Sequence, residues 1–229
     1  MKILTWNIGC FSYLKFAKYF NYSFKGIKIN HEYFQPKLNS RFVSNFIEQQ
    51  NPDIIFLQEI HDTKDIELLN ILEKYPHKQL PNTWYHKHSI LVASKIAFTA
   101  ELKNDFNVVF CNNITYIPIH LNSFSALKRL EDCKKLSSIC NFNEDIIILG
   151  DTNIWSRGRC FIFSNDKKAY YSIAKKLTDI TKKILSTTFL GFNLDKVFVS
   201  NKIIVKNIES PKVRGYFMDH YPVVFEIEQ

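Results

Sequence analysis

The chain alternates between short, uninterrupted apolar runs and longer stretches in which apolar residues return every three or four positions. Runs of the first kind predict buried strands: "KILTWNI", "NPDIIFLQEI" after its opening turn, "HSILVAS", "FNVVF", "NITYIPIHL", "EDIIILG", "LDKVFVS", "KIIVKNI" and "YPVVFEIE". Stretches of the second kind predict helices. "NSRFVSNFIEQQ", after Pro36, places Phe42, Val43, Phe46 and Ile47 at helical spacing, with Asn39 or Ser40 as N-cap. "TKDIELLNILEKY" is amphipathic, and "SFSALKRLEDCKKLSSIC" aligns Leu127, Leu130, Leu136 and Ile139 on one stripe. "DKKAYYSIAKKLTDITKKIL" predicts one long helix.

Strands outnumber helices, and several follow one another directly, which requires antiparallel pairs. The expected class is therefore α/β, with two packed mixed sheets flanked by helices, and not a purely parallel doubly wound sheet. The 229 residues contain no Gly/Ser or Pro-rich linker, no low-complexity tract and no solenoid repeat, so a single domain over residues 1–229 is expected. No glycine-rich phosphate loop of a standard type occurs.

Composition narrows the partners less than the pattern narrows the fold. A formal charge of +8 and a pI near 9.1 favour a polyanion such as nucleic acid or an anionic membrane surface. The abundance of Lys, Asn, Ile, Phe and Tyr also fits an AT-rich coding bias that raises the charge without a partner. Cys10, Cys111, Cys133, Cys140 and Cys160 are odd in number and scattered, with no zinc-ribbon or disulfide spacing. Reduced thiols, no leader-like N-terminus and no run long enough to span a bilayer lead us to expect a cytoplasmic, monomeric protein. No protein partner is legible.

The strand ends carry the chemistry. "LTWNIG" delivers Asn7, "IIFLQEI" Gln58 and Glu59, "IPIHLNS" His120 and Asn122, "IIILGDTN" Asp151 and Asn153, "FNLDKVF" Asp195, and "YFMDHYPV" Asp219 and His220. Any one of these has a structural explanation as a cap, a turn or a satisfied core polar group. Six apolar runs ending this way call for a shared site. Hydrolysis of a phosphate ester with a hard divalent cation needs this mix. Oxygen ligands hold Mg²⁺, a histidine moves protons near neutral pH, and a carboxylate behind it fixes its tautomer. The lack of Cys in the set argues against zinc.

The order Asn, Gln-Glu, His, Gly-Asp-x-Asn, Asp and Asp-His resembles the endonuclease/exonuclease/phosphatase superfamily, over Thr5 to Val223. That resemblance implies a four-layered α/β sandwich with the site at one edge of the two sheets. It also implies Mg²⁺, or Mn²⁺, held by Glu59 with Asn7 and Asp219. Asp151 would activate the attacking water and Asn153 orient it. His220 would contact the scissile phosphate with Asp195 behind it, and His120 would be a second imidazole on the phosphate. One departure is Gly9, where many DNA-repair members carry an acid. Another is "NLDKVF", where abasic-site endonucleases read Arg-Ile-Asp-Tyr. "IHLNSFSALKRLEDCKKL" and "GDTNIWSRGR" are similar to stretches of the 5′-tyrosyl-DNA phosphodiesterases.

The implied activity is a Mg²⁺-dependent nuclease or DNA-end phosphodiesterase, with a lipid or inositol-phosphate phosphodiesterase at membranes as the alternative. Candidate substrate contacts are Asn122, Arg157 and Arg159, whose guanidinium groups suit phosphates, and Trp84, which suits a base. Solvated charge explains the two arginines equally, and simple packing explains Trp84. Phe11 to Phe34 interleaves aromatics with lysines. It suits a single-strand groove, a membrane interface, or core packing with snorkelling lysines.

Overall fold

The computed structural model of the chain describes residues 1–9, 36–60, 70–80, 90–157, 160–213 and 218–228, the side chains of 36–39 and 157 excepted. Strands β1 (Lys2–Asn7), β2 (Ile54–Gln58), β3 (His77–Gln79), β4 (Ile90–Ser94), β5 (Phe98–Lys103), β6 (Phe106–Cys111) and β7 (Ile114–His120) are followed by β8 (Ile146–Asp151). The short strands β9 (Ser156–Arg157), β10 (Cys160–Phe161) and β11 (Thr178–Asp179) precede β12 (Asp195–Val199), β13 (Val205–Glu209) and β14 (Val223–Ile227). Among the described residues the bounded helices are α1 (Pro36–Gln50), α2 (Ala126–Ile139) and α3 (Ser164–Ala174), with a 3-10 turn at Ile180–Lys183; residues 70–72 are also helical, and the rest of the helix expected over "TKDIELLNILEKY" lies largely outside the described residues.

Two six-stranded mixed sheets form, ordered β13-β14-β1-β2-β4-β3 and β11-β12-β8-β7-β6-β5. The apolar runs are continuous because both faces of each sheet are covered. On β2, Ile54 and Phe56 enter the core between the sheets, whereas Ile55 and Leu57 pack outward with Val43, Phe46 and Ile47 of α1. On β8, Ile147 and Leu149 face inward, whereas Ile146 and Ile148 meet Leu130 and Leu136 of α2 and Tyr170 and Ile173 of α3. The result is the expected four layers. No helix among the described residues is long and apolar enough to cross a membrane.

Register brings the polar strand ends to one edge. The parallel pairs β1–β2 and β7–β8 align Asn7 with Gln58 and His120 with Asp151, and antiparallel β12 aligns Asp195 with Asp151. Gly150 sits at φ +126°, and a Cβ there would lie 2.2 Å from the Ile119 carbonyl oxygen. Glycine before Asp151 is thus demanded by the close approach of β7.

Three local expectations shift. α1 begins at Pro36, so Asn39 and Ser40 lie inside the helix and not at its cap, in keeping with proline's fixed φ at a first helical position. The single helix expected through residue 185 stops at Ala174. Asp179 accepts from the Tyr170 hydroxyl at 2.9 Å and from Thr181 N at 2.9 Å, capping the 3-10 turn, while Thr178 and Asp179 pair with β12. Leu127 is exposed, and the buried face of α2 is Leu130, Cys133 and Leu136. Phe98–Lys103, which shows little apolar pattern, is a sheet-edge strand with one largely exposed run.

Candidate active site

Asp151 leaves β8 almost fully buried, and its neighbours hold it from several sides. Its Oδ2 accepts from Asn7 Nδ2 at 2.9 Å and from Asn153 Nδ2 at 3.0 Å, and its Oδ1 from Asn153 N at 2.8 Å. Asn153 sits at φ 48°, a left-handed conformation that asparagine tolerates, and this turns its amide back onto Asp151 and the Leu121 carbonyl. Both imidazoles point Nε2 at the same carboxylate oxygen, His120 from 3.8 Å and His220 from 3.7 Å.

Glu59 follows β2 at φ 58°, which for glutamate is strained by about 1–2 kcal/mol. That turn aims its carboxylate at Asn7 Nδ2 (3.1 Å) and His120 Nε2 (3.2 Å). It also accounts for Gly9. A Cβ at position 9 would stand 1.8 Å from Glu59 Oε2, and Gly9 N donates to Asn7 Oδ1 at 2.9 Å. The space an acid would need at position 9 is taken by Glu59. Burial opposes ionisation of Glu59, but the His120 hydrogen bond and charge, with Asn7, hold its pKa below the usual value. Burial disfavours a charged His120, yet Glu59 and Asp151 raise its pKa.

The second imidazole forms a buried dyad. His220 Nδ1 lies 2.7 Å from Asp195 Oδ2. Burial favours a neutral ring, but Asp195, Asp151 and Asp219 together raise its pKa well above 6.5. Burial likewise pushes Asp195 up against the pull of His220. With several carboxylates facing one ring, the shared proton rests on the imidazole. Asp219 Oδ1 is 3.9 Å from His220 Nε2, and burial raises its pKa.

Among the described residues, ligand atoms of Glu59, His120 and Asp151 converge, as do those of Asp151, Asp195 and His220. Asp219 belongs to neither group. Asn7 Nδ2 and His120 Nε2 lie between the Glu59 and Asp151 carboxylates. Two carboxylates at this spacing, with no thiolate, fit a hard divalent cation.

Asn122 lies outside this cluster. Its amide oxygen accepts from Phe124 N (3.0 Å) and Ser125 N (2.7 Å), building the turn that leads into α2. Trp84, Arg159 and the Arg157 side chain lie outside the described residues, as does Phe11 to Phe34.

Several supporting residues have no sequence signature. Thr187 Oγ1 accepts from Asp195 N (2.9 Å) and Leu194 N (3.0 Å), and its carbonyl accepts from Tyr221 N, joining both halves of the dyad. Trp6 Nε1 donates to the His220 carbonyl at 3.2 Å. Fully buried Arg129 binds Asp166 twice, at 2.8 and 2.9 Å, and the Asn122 carbonyl at 2.9 Å; Asp166 also accepts from Trp155 N at 3.0 Å. Buried Lys196, its pKa lowered by burial, donates to the Asn193 carbonyl (2.8 Å) and Ser156 Oγ (3.2 Å).

Solved structures share the architecture. An AP endonuclease from Archaeoglobus fulgidus superposes with a TM-score of 0.72 at 14% identity, covering 100% of both chains. A 3′ phosphatase, NExo, from Neisseria bound to product DNA hairpin gives 0.72 at 16%, again over 100% of both. Humanized D. rerio TDP2 gives 0.68 at 12%, covering 100% of this chain and 99% of its own. No curated protein matches the chain by sequence. The family model for the Endonuclease/Exonuclease/phosphatase family matches residues 4–216, and the chain, carrying this fold and this cluster at the sheet edge, belongs to that family of phosphate-ester hydrolases.

Proposed function

We propose that this chain, acting as one domain over residues 1–229, is a divalent-metal-dependent phosphodiesterase whose substrate is nucleic acid. Mg²⁺ is the ion, with Mn²⁺ as its substitute. The observation that carries this reading is the convergence of two imidazoles on Asp151 Oδ2 beside the Glu59 carboxylate. Glu59 and Asn7 hold the cation, and Asp219 stands at the edge of its shell. When bound, the metal neutralises charge on the phosphate and its oxygens. The remaining roles fall to side chains. Asp151 accepts the proton of an attacking water that Asn153 orients. His220, kept cationic by Asp195, donates to the phosphate, and His120 is the second imidazole on it. Neighbours named as an AP endonuclease, a 3′ phosphatase bound to DNA and TDP2 support nucleic acid as the substrate class. The Gly-Asp-Thr-Asn and His-Leu-Asn-Ser stretches favour DNA-end processing of the 5′-tyrosyl type.

A membrane reading is favoured by one observation. Phe124, four residues after His120, and Leu185, two residues before Thr187, are 93% and 86% exposed. The deciding assay offers Mg²⁺ with plasmid DNA, single-stranded DNA, a 5′-phosphotyrosyl oligonucleotide, sphingomyelin and an inositol polyphosphate, each with and without EDTA. EDTA-sensitive cleavage of DNA, lost in Glu59→Gln, is expected. Turnover of the lipid or inositol substrate alone overturns the nucleic-acid reading, and full activity in EDTA overturns the metal.

A further inference from the structure

Among the described residues, lysines cluster on one layer. α2 presents Lys128, Lys134 and Lys135 at its surface, and α3 presents Lys167 and Lys168, with Lys175 and Lys176 in the turn directly after it. The 3-10 turn that follows adds Lys182 and Lys183. Of the carboxylates on these three elements, Asp132 and Asp166 are buried, and only Glu131 is exposed. On α2, Lys128 pairs with Glu131 and Asp132, and Lys135 with Asp105, as elsewhere Lys74 pairs with Glu48, Lys95 with Asp53, Lys103 with Glu101 and Lys206 with Glu228. Among the described residues, Lys134, Lys167, Lys168, Lys175, Lys176, Lys182 and Lys183 form no ion pair. A coding bias toward lysine would scatter it over the surface. This distribution is one-sided.

The helix dipole favours Lys175 and Lys176 at the C-terminal end of α3 and Lys182 and Lys183 in the last turn of the 3-10 helix, but not the remaining lysines. α2 has no acidic residue in its first turn and no basic residue in its last. Lys167 and Lys168 lie near the start of α3, the end at which the helix dipole disfavours cations. The two helices touch, with Ser137 Oγ donating to the Ser172 carbonyl at 3.3 Å, and the unpaired Lys134 of α2 and Lys168 and Lys175 of the α3 segment flank that contact in sequence. Such self-repulsion is relieved by an anion.

The layer also begins at the active site. α2 starts six residues after His120, once the Asn122 turn is complete, and Asp166 of α3 accepts from Trp155 N, two residues past Asn153. From Lys167 to Ala174 the helix advances about 10 Å at ~1.5 Å per residue, roughly three phosphates of a B-form strand, and Lys175 and Lys176 follow at its end. We propose that the α2–α3 layer is a second contact surface for nucleic acid, a lysine track that holds the sugar-phosphate backbone beyond the scissile phosphate. This rests on the nuclease reading, and its test is built to fail separately.

The variant replaces Lys167, Lys168, Lys175 and Lys176 with Gln, whose helix propensity matches lysine and whose sites are exposed. Steady-state kinetics on bis(p-nitrophenyl) phosphate and on single-stranded DNA of about 8 and about 40 nucleotides would be compared, with anisotropy binding of the longer strand in EDTA across salt concentrations. We expect unchanged kcat on every substrate and unchanged kinetics on the small ester and short strand. KM and Kd for the long strand should rise about tenfold. The log–log salt slope should fall by about 0.7 for each lost phosphate contact. An unchanged Kd and slope for the long strand overturns the track, as does an equal loss on the short strand. Loss of binding to phosphatidylserine vesicles with DNA binding intact assigns the layer to membranes and also overturns it. A wild-type protein that hydrolyses the small ester but no DNA overturns the nuclease reading, while the binding arm still reads the track by itself.

Discussion

Replacing Asp166 by Asn tests whether the helical layer sets the geometry of the catalytic loops. Three donors converge on this carboxylate: Arg129 Nε at 2.8 Å, Arg129 Nη2 at 2.9 Å and Trp155 N at 3.0 Å. Both side chains of the pair are almost wholly buried. An amide offers one acceptor oxygen and points its own N–H groups at the remaining donors. The guanidinium would then be left without a counter-charge in a site closed to water. Breaking a buried pair from one side costs about 3–5 kcal/mol. With about 2.1 cal/mol/K of unfolding entropy per residue, 229 residues give about 0.5 kcal/mol/K, so about 4 kcal/mol lowers Tm by about 8 °C. Calorimetry at neutral pH reads this directly. Arg129→Met combined with Asp166→Leu removes both charges and keeps the volume, so it should recover more than half of that loss. Because Arg129 also binds the Asn122 and Ser123 carbonyls, two and three residues after His120, kcat should fall in the single variant as well. A Tm change under about 2 °C for Asp166→Asn, or a double variant no more stable than the single, would refute the account.

Gly9→Ala should remove about 100-fold or more of metal-supported activity, because its Cβ would displace the Glu59 carboxylate; isothermal titration with Mn²⁺ should show weakened binding, and unchanged affinity would mean that Glu59 holds no metal. Asp195→Asn should lower kcat by about 10²–10⁴-fold and let the His220 ring titrate at lower pH, followed by imidazole NMR without metal. The sign follows from linkage. A histidine raised above 6.5 contributes stability that is complete below 6.5 and lost as pH rises through its folded pKa, so the variant should lose that contribution at lower pH than wild type. Titration of His220 unchanged in Asp195→Asn would mean that the dyad does not set the charge on the ring.

The sequence alone determined the order in which Asn7, Glu59, His120, Asp151, Asp195 and His220 stand at the edges of apolar runs, because a polar group at the edge of a buried run is a local signal. The two-sheet class was equally local, since continuous apolar runs without intervening helices require sheets covered on both faces and antiparallel neighbours. Distances were not local. That the polar residues of four forward-running strands and two reversed ones meet at one edge follows from the pairing of β1 with β2 and β14, and of β8 with β7 and β12. Gly9 reads in sequence as a missing acid, and only the left-handed turn at Glu59 shows its place already filled. Thr187, Arg129 and Lys196 gain their roles from partners 8 to 40 residues away, so no motif marks them. The helix expected through residue 185 ended early for the same reason. Periodicity continued, but Asp179 found the Tyr170 hydroxyl and β12 found Thr178, and tertiary pairing outweighed local propensity.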